Sequence, residues 1–175
     1  MKLNRKAAAL AAVLVAGAGS AMATDQDINL TATVAGFCRI GGSLTPTADT
    51  VNLDSLVTAG FITATQTDRT YAVICNKATD ISLESQNGAM TTASASALNF
   101  ENVINYTAST SGFATISAGS TATTATASGP ESLGSTTRAT PGSANIVVSI
   151  TPIGNTDPLV EGVYQDTLRL SITPQ

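Results

Sequence analysis

Apolar residues return at every second position through much of this chain, and outside its first residues a helical spacing of three and four is hard to find. Segments of that kind bury one face only by lying in sheets, so the pattern predicts an all-β fold. The cleanest run is Ile28, Leu30, Ala32 and Val34, with Asn29, Thr31 and Thr33 between them. One face is apolar and the other polar. Gly36 interrupts the run just before Cys38, and Gly41-Gly42 marks a turn.

Further along, Arg69 to Cys75 reads as a strand with Tyr71, Val73 and Cys75 on one face, and Thr79 to Ser85 as another with Ile81 and Leu83 inward. Asn87-Gly88 then reads as a hairpin turn, because both residue types tolerate positive φ. Weaker strand signals lie at Val51 to Val57, Phe61 to Thr63, Leu98 to Thr107 and Phe113 to Ser117. From Ser117 to Ser143 the sequence turns to Thr, Ala, Ser and Gly with almost no large apolar residue, which predicts a long loop or a loosely held edge. Two strong strands close the chain: Ser143 to Ile153, with Ile146, Val148 and Ile150 on one face, and Gly162 to Thr173, with Leu168, Leu170 and Ile172. Short strands separated by Gly, Asn, Pro and Thr define a β-sandwich.

Residues 1–23 have the three parts of a secretory signal: Lys2, Arg5 and Lys6, an apolar run from Ala7 to Ala18, and Ala21-Met22-Ala23 as a cleavage site. The run is short of the ~20 residues that cross a bilayer, so the processed chain is expected to begin near Thr24, with no membrane insertion. That signal holds three of the eight basic residues and none of the twelve acidic ones, leaving residues 24–175 a formal charge of −7. Such a balance argues against nucleic acid, which needs a basic footprint. Charged residues are only 11% of the chain against a usual quarter, which suits a protein packed against copies of itself.

Export also decides how the two cysteines are read. In an oxidising compartment Cys38 and Cys75 are expected to form one disulfide. A loop of that length stabilises a fold by roughly 3 to 4 kcal/mol in the chain-entropy model. A metal or redox site finds no histidine and no C-x-x-C to build on. The missing histidines also remove the commonest general base, and the absence of Trp removes the usual sugar platform. Asp25 and Asp27 lack the D-x-D-x-D-G loop of a calcium site. The expectation is a protein that is not an enzyme and takes no cofactor or metal.

Both ends of the processed chain resemble the spore coat U family, which includes the major pilins of archaic, Csu-type chaperone–usher pili. At the front the match runs from Ile28 to Cys38 and on through Gly41-Gly42-Ser43; at the back it is Glu161 to Ile172, where Gly162-x-Tyr164-x-Asp166-Thr167-Leu168 is the more specific pattern. Between them only Cys75 with its preceding strand, and the turn at Asn87-Gly88, match.

The resemblance implies an incomplete immunoglobulin-like β-sandwich, residues 37–175, that lacks its last strand and is completed by donor-strand exchange. Residues 24–36 would be the donor strand, with Ile28, Leu30, Ala32 and Val34 entering the core of the next subunit. Leu168, Leu170 and Ile172 would border the receiving groove and contact a periplasmic chaperone before assembly at an outer-membrane usher. The implied function is that of a structural pilus subunit at the cell surface, in a homopolymer or with other pilus subunits, serving adhesion and biofilm formation. A different reading is a secreted coat or matrix protein of the same family that folds completely and does not polymerise. One departure concerns the end of the chain: proline cannot donate to a ladder, so the last strand is expected to stop near Thr173, before Pro174.

Overall fold

Two antiparallel sheets carry most of the alternation. In the computed structural model the described residues are Gln26, 28–121 and 129–175; the predicted signal at residues 1–23, and Thr24, Asp25 and Asp27, lie outside them. The chain divides after Thr33, and Val34–Gln175 forms one compact unit. Its strands are β1 (Cys38–Ile40), β2 (Val57–Thr58), β3 (Phe61–Ile62), β4 (Thr67–Cys75), β5 (Thr79–Ser85) and β6 (Met90–Thr91), followed by β7 (Val103–Ile104), β8 (Tyr106–Gly112), β9 (Ile116–Ser120), β10 (Glu131–Arg138), β11 (Gly142–Pro152) and β12 (Leu168–Pro174).

One sheet has the order β1-β4-β11-β8-β9 and the other β10-β5-β12, with two small two-stranded pairs, β2-β3 and β6-β7, beside them. The two larger sheets share one apolar core. Val73 and Cys75 of β4, Ile146 and Val148 of β11 and Ala108 of β8 meet Ile81 and Leu83 of β5 and Leu133 of β10. This is the packing of a β-sandwich, with alternate residues of each strand inward and their neighbours outward. A smaller apolar cluster of Ile62, Ile104 and Leu159 lies under the loops, where the Asn155 side chain accepts from the Ile62 N–H (2.8 Å) and donates to the Gly60 carbonyl (2.8 Å).

The strongest sequence signals correspond to β4, β5, β11 and β12, and Tyr71, Val73 and Cys75 share the inward face of β4 as expected. Several weaker readings are corrected. Val51 to Val57 contains a single 3-10 turn, Asp54–Leu56, before β2. Leu98 stands exposed outside any strand, while Phe113 is buried in the connection before β9. Asn87-Gly88 does not join paired strands: β5 and β6 belong to different sheets, and only Gly88 has positive φ, at 78°. Of the two expectations for Ser117 to Ser143, the loop gives way to the edge: the stretch contains β10, the outer strand of its sheet, which pairs with β5 along its length and buries Leu133. Thr and Ser take the exposed positions of an edge strand well, so the absence of large residues did not mean the absence of a strand.

One flank of the sandwich is closed by backbone. A Cβ on Gly119 of β9 would collide with the Leu133 carbonyl of β10, and one on Gly134, at φ 136°, would stand 2.6 Å from Ile116 Cγ2. The bulge between Ser132 and Gly134 turns Leu133 inward at this contact. The opposite flank lies between β1 and β12 and is built differently.

Candidate functional site

Cys38 of β1 and Cys75 of β4 are joined by a disulfide. They also face each other in the ladder, followed by Arg39 with Ile74 and Ile40 with Val73. β1 is only three residues long and covers one end of the nine-residue β4. Among the described residues, nothing in a strand pairs with β12 on the side away from β5.

The phase of that free edge follows from two bonds at its ends. Gln86 N–H donates to the Thr167 carbonyl (2.9 Å), and Gln175 N–H donates to the Ala78 carbonyl (2.9 Å). Pairing with β5 therefore uses the odd-numbered residues 167 to 175, and the N–H and C=O groups of Leu168, Leu170 and Ile172 point to the unpaired side. Pro174 belongs to the strand, contrary to the expected stop at Thr173. Its missing N–H falls on the unpaired side, where the ladder with β5 loses nothing.

The side chains tell the same story. On the inward face of one sheet, Leu170 pairs with Leu83 and Ile172 with Ile81. Leu83 and Ile81 are 0% and 1% exposed, whereas Leu168, Leu170 and Ile172 are only half-buried. Apolar residues on the core face of a sheet keep that much water contact when the strand beyond them is missing.

The segment 28–37 lies outside any strand. Its alternating residues are not buried: Ile28 is 78% exposed, Leu30 89% and Val34 79%, with Ala32 exposed as well. Four apolar side chains at a two-residue spacing are thus left to solvent, where their burial against another surface would be favourable.

Asp166 anchors the start of β12, and sequence reading assigned it no partners. Its Oδ2 accepts the hydroxyls of Ser85 (2.6 Å) and Tyr106 (2.5 Å), and its Oδ1 accepts the backbone N–H groups of Asn87 (3.0 Å) and Thr167 (2.7 Å). One carboxylate thus joins β12 to β5 and to β8 of the opposite sheet. Tyr164, two residues earlier, shares its single hydroxyl proton between the carbonyls of Val160 (2.9 Å) and Glu101 (3.1 Å). Both motif residues shape the entry to β12.

Burial, then the bond to Asp166, raise Tyr106 well above its ordinary value; burial, then the bond to Asp49, raise Tyr71; burial, then the Glu101 charge, raise Tyr164. A raised phenol holds its proton longer when folded than when unfolded, so the unfolded state binds fewer protons at alkaline pH. The stabilisation is complete below the unfolded pKa of about 10 and is lost as pH rises above it. Denaturant melts between pH 9 and pH 11 should show falling stability, and Tyr106→Phe should flatten the slope. An unchanged slope in that variant would assign the alkaline loss elsewhere.

The chain matches no protein-family profile and no curated protein sequence.

Proposed function

We propose that the protein is a structural subunit of an adhesive surface fibre, polymerising by donor-strand complementation. The observation that carries this reading is a complementary pair of defects. An apolar alternation at Ile28, Leu30, Ala32 and Val34 is exposed and belongs to no strand, and β12 has an unpaired edge over half-buried Leu168, Leu170 and Ile172. Each lacks what the other offers. Main-chain bonds would complete the edge while alternate side chains fill the core beside it, which is the physics of β-augmentation. Burying a Leu or Ile side chain fully contributes roughly 1.5 to 3 kcal/mol, so several together make a joint that persists.

The sandwich is then an incomplete immunoglobulin-like fold, with the strand after β12 supplied by another copy. The same exposed edge would make the free subunit prone to unwanted pairing, which is the service a periplasmic chaperone performs before an outer-membrane usher assembles the fibre. Adhesion and biofilm formation are the cellular roles that follow, with no catalytic role for the chain.

Deleting residues 24–36 should give a folded, disulfide-linked subunit that binds chaperone but is absent from fibres, as read by electron microscopy and mass spectrometry of shed material. If the deletion unfolds the protein, and the intact chain stays monomeric without a chaperone, the non-polymerising coat protein is the better reading.

A further inference from the structure

Asn76, the residue after β4, makes three bonds to the segment that leads into β1. Its Oδ1 accepts the Phe37 N–H (2.7 Å), its Nδ2 donates to the Ala35 carbonyl (2.9 Å), and its own N–H donates to the Phe37 carbonyl (3.1 Å). The last of these extends the Cys38–Cys75 register by one residue, so Ala35 to Phe37 prolong the line of β1. Between them, Gly36 passes the end of β12: a Cβ there would stand 3.3 Å from Lys77 Cδ and 3.6 Å from Pro174 Cβ.

That position makes Gly36 the place where a fold-back would begin. From Val34 back to Ile28 is the same seven residues as β12, about 23 Å at a strand's rise of about 3.3 Å. Reach is therefore no obstacle to the chain filling its own edge. Tethered at the Pro174 end, the segment would lie parallel to β12, a somewhat weaker pairing than the antiparallel one open to a separate molecule. A short tether nevertheless gives an effective concentration on the order of millimolar, far above that of a second subunit in dilute solution. A restraint at Ala35 to Phe37 that directed the preceding residues away from β12 would let the intermolecular product compete.

We propose that Asn76 is a positioning residue for assembly: by clamping Ala35 to Phe37 in line with β1, it keeps the N-terminal segment out of its own subunit's open edge and available to a neighbour. The inference rests on the donor-strand reading above.

The test is refolding of residues 24–175 under oxidising conditions over a range of concentrations, with mass read by light scattering and β12 amides by hydrogen exchange. The unchanged chain should give concentration-dependent oligomers. In Asn76→Ala the monomer share should rise by ~5-fold or more, without concentration dependence, as the tethered strand wins. Those monomers should protect the Leu168, Leu170 and Ile172 amides, and lose the protection when Leu30→Asp is added. Asn76→Asp keeps the acceptor for Phe37 but loses the donor to Ala35, so it should fall between the two; it replaces Asn76→Ala if that variant does not fold.

A merely structural role for Asn76 would lower the melting temperature without changing the partition between monomer and oligomer. An unchanged partition in the folded variant overturns the clamp and leaves the donor strand standing. If Leu30→Asp alone oligomerises like the unchanged chain, the donor-strand reading itself fails.

Discussion

Replacing Leu30 with Asp should abolish fibre assembly while leaving the subunit folded. Leu30 is 89% exposed, so the change removes almost nothing from the isolated chain. Inside a neighbour's core, the same side chain would bring an unpaired charge into an apolar pocket at a penalty of several kcal/mol. Each 1.4 kcal/mol is tenfold in an equilibrium constant, so association should weaken by about a thousandfold or more. Asn29→Asp, one position along and on the polar face of the alternation, should assemble normally and controls for added charge. Fibres counted by electron microscopy, beside thermal melts of the monomers, separate the two effects. Normal fibres from Leu30→Asp would sink the donor assignment.

A second large effect is expected at Asp166, this time on the fold. Asp166→Ala removes the acceptor for two hydroxyls and two backbone N–H groups, and leaves the hydroxyls of Ser85 and Tyr106 without it at positions 0% and 3% exposed. Hydrogen bonds to a charged group contribute about 1.5 to 3 kcal/mol each, and an unsatisfied buried donor is penalised in addition. Because partners in one network are not additive, a loss of about 3 to 5 kcal/mol is the expected total. Urea denaturation measures it directly. Hydrogen exchange should also show the amides at the start of β12 opening well before those of β11. A loss under 1 kcal/mol would mean that β12 is held by its pairing with β5 alone.

The legibility of this fold in its sequence follows the size of the alternating residues. β4, β5, β11 and β12 place Val, Ile and Leu on one face, and the period is plain. β10 has Leu133 as its one large apolar residue, and its place depends on pairing with β5 and on two glycines, Gly119 admitting the Leu133 carbonyl and Gly134 the Ile116 side chain, neither of which is a local signal. Leu98 and Phe100 look like core in a sequence and are exposed in the fold. For the candidate site, the alternation at Leu168, Leu170 and Ile172 was readable, but a strand paired on both sides would carry the same letters. Only the order of strands reveals the open edge. The partners of Asp166 and Asn76 were silent for another reason: Phe37, Ala35, Tyr106, Asn87 and Ser85 lie between 39 and 81 residues away from them.

The disulfide acquires a mechanical meaning when the N-terminal segment is a joint. In a fibre built by donated strands, tension between subunits enters each domain along Ala35 to Phe37 and reaches β1 first. A three-residue strand held by hydrogen bonds alone would peel from the sheet one rung at a time. Cys38 is its first residue and is bonded to Cys75 at the far end of β4. Load therefore passes through a covalent link, before it meets any other rung of β1, into a strand flanked along its length by β11. The crosslink sits where the pull arrives, so stretching a fibre would strain the joints between subunits before it unravelled the subunits themselves.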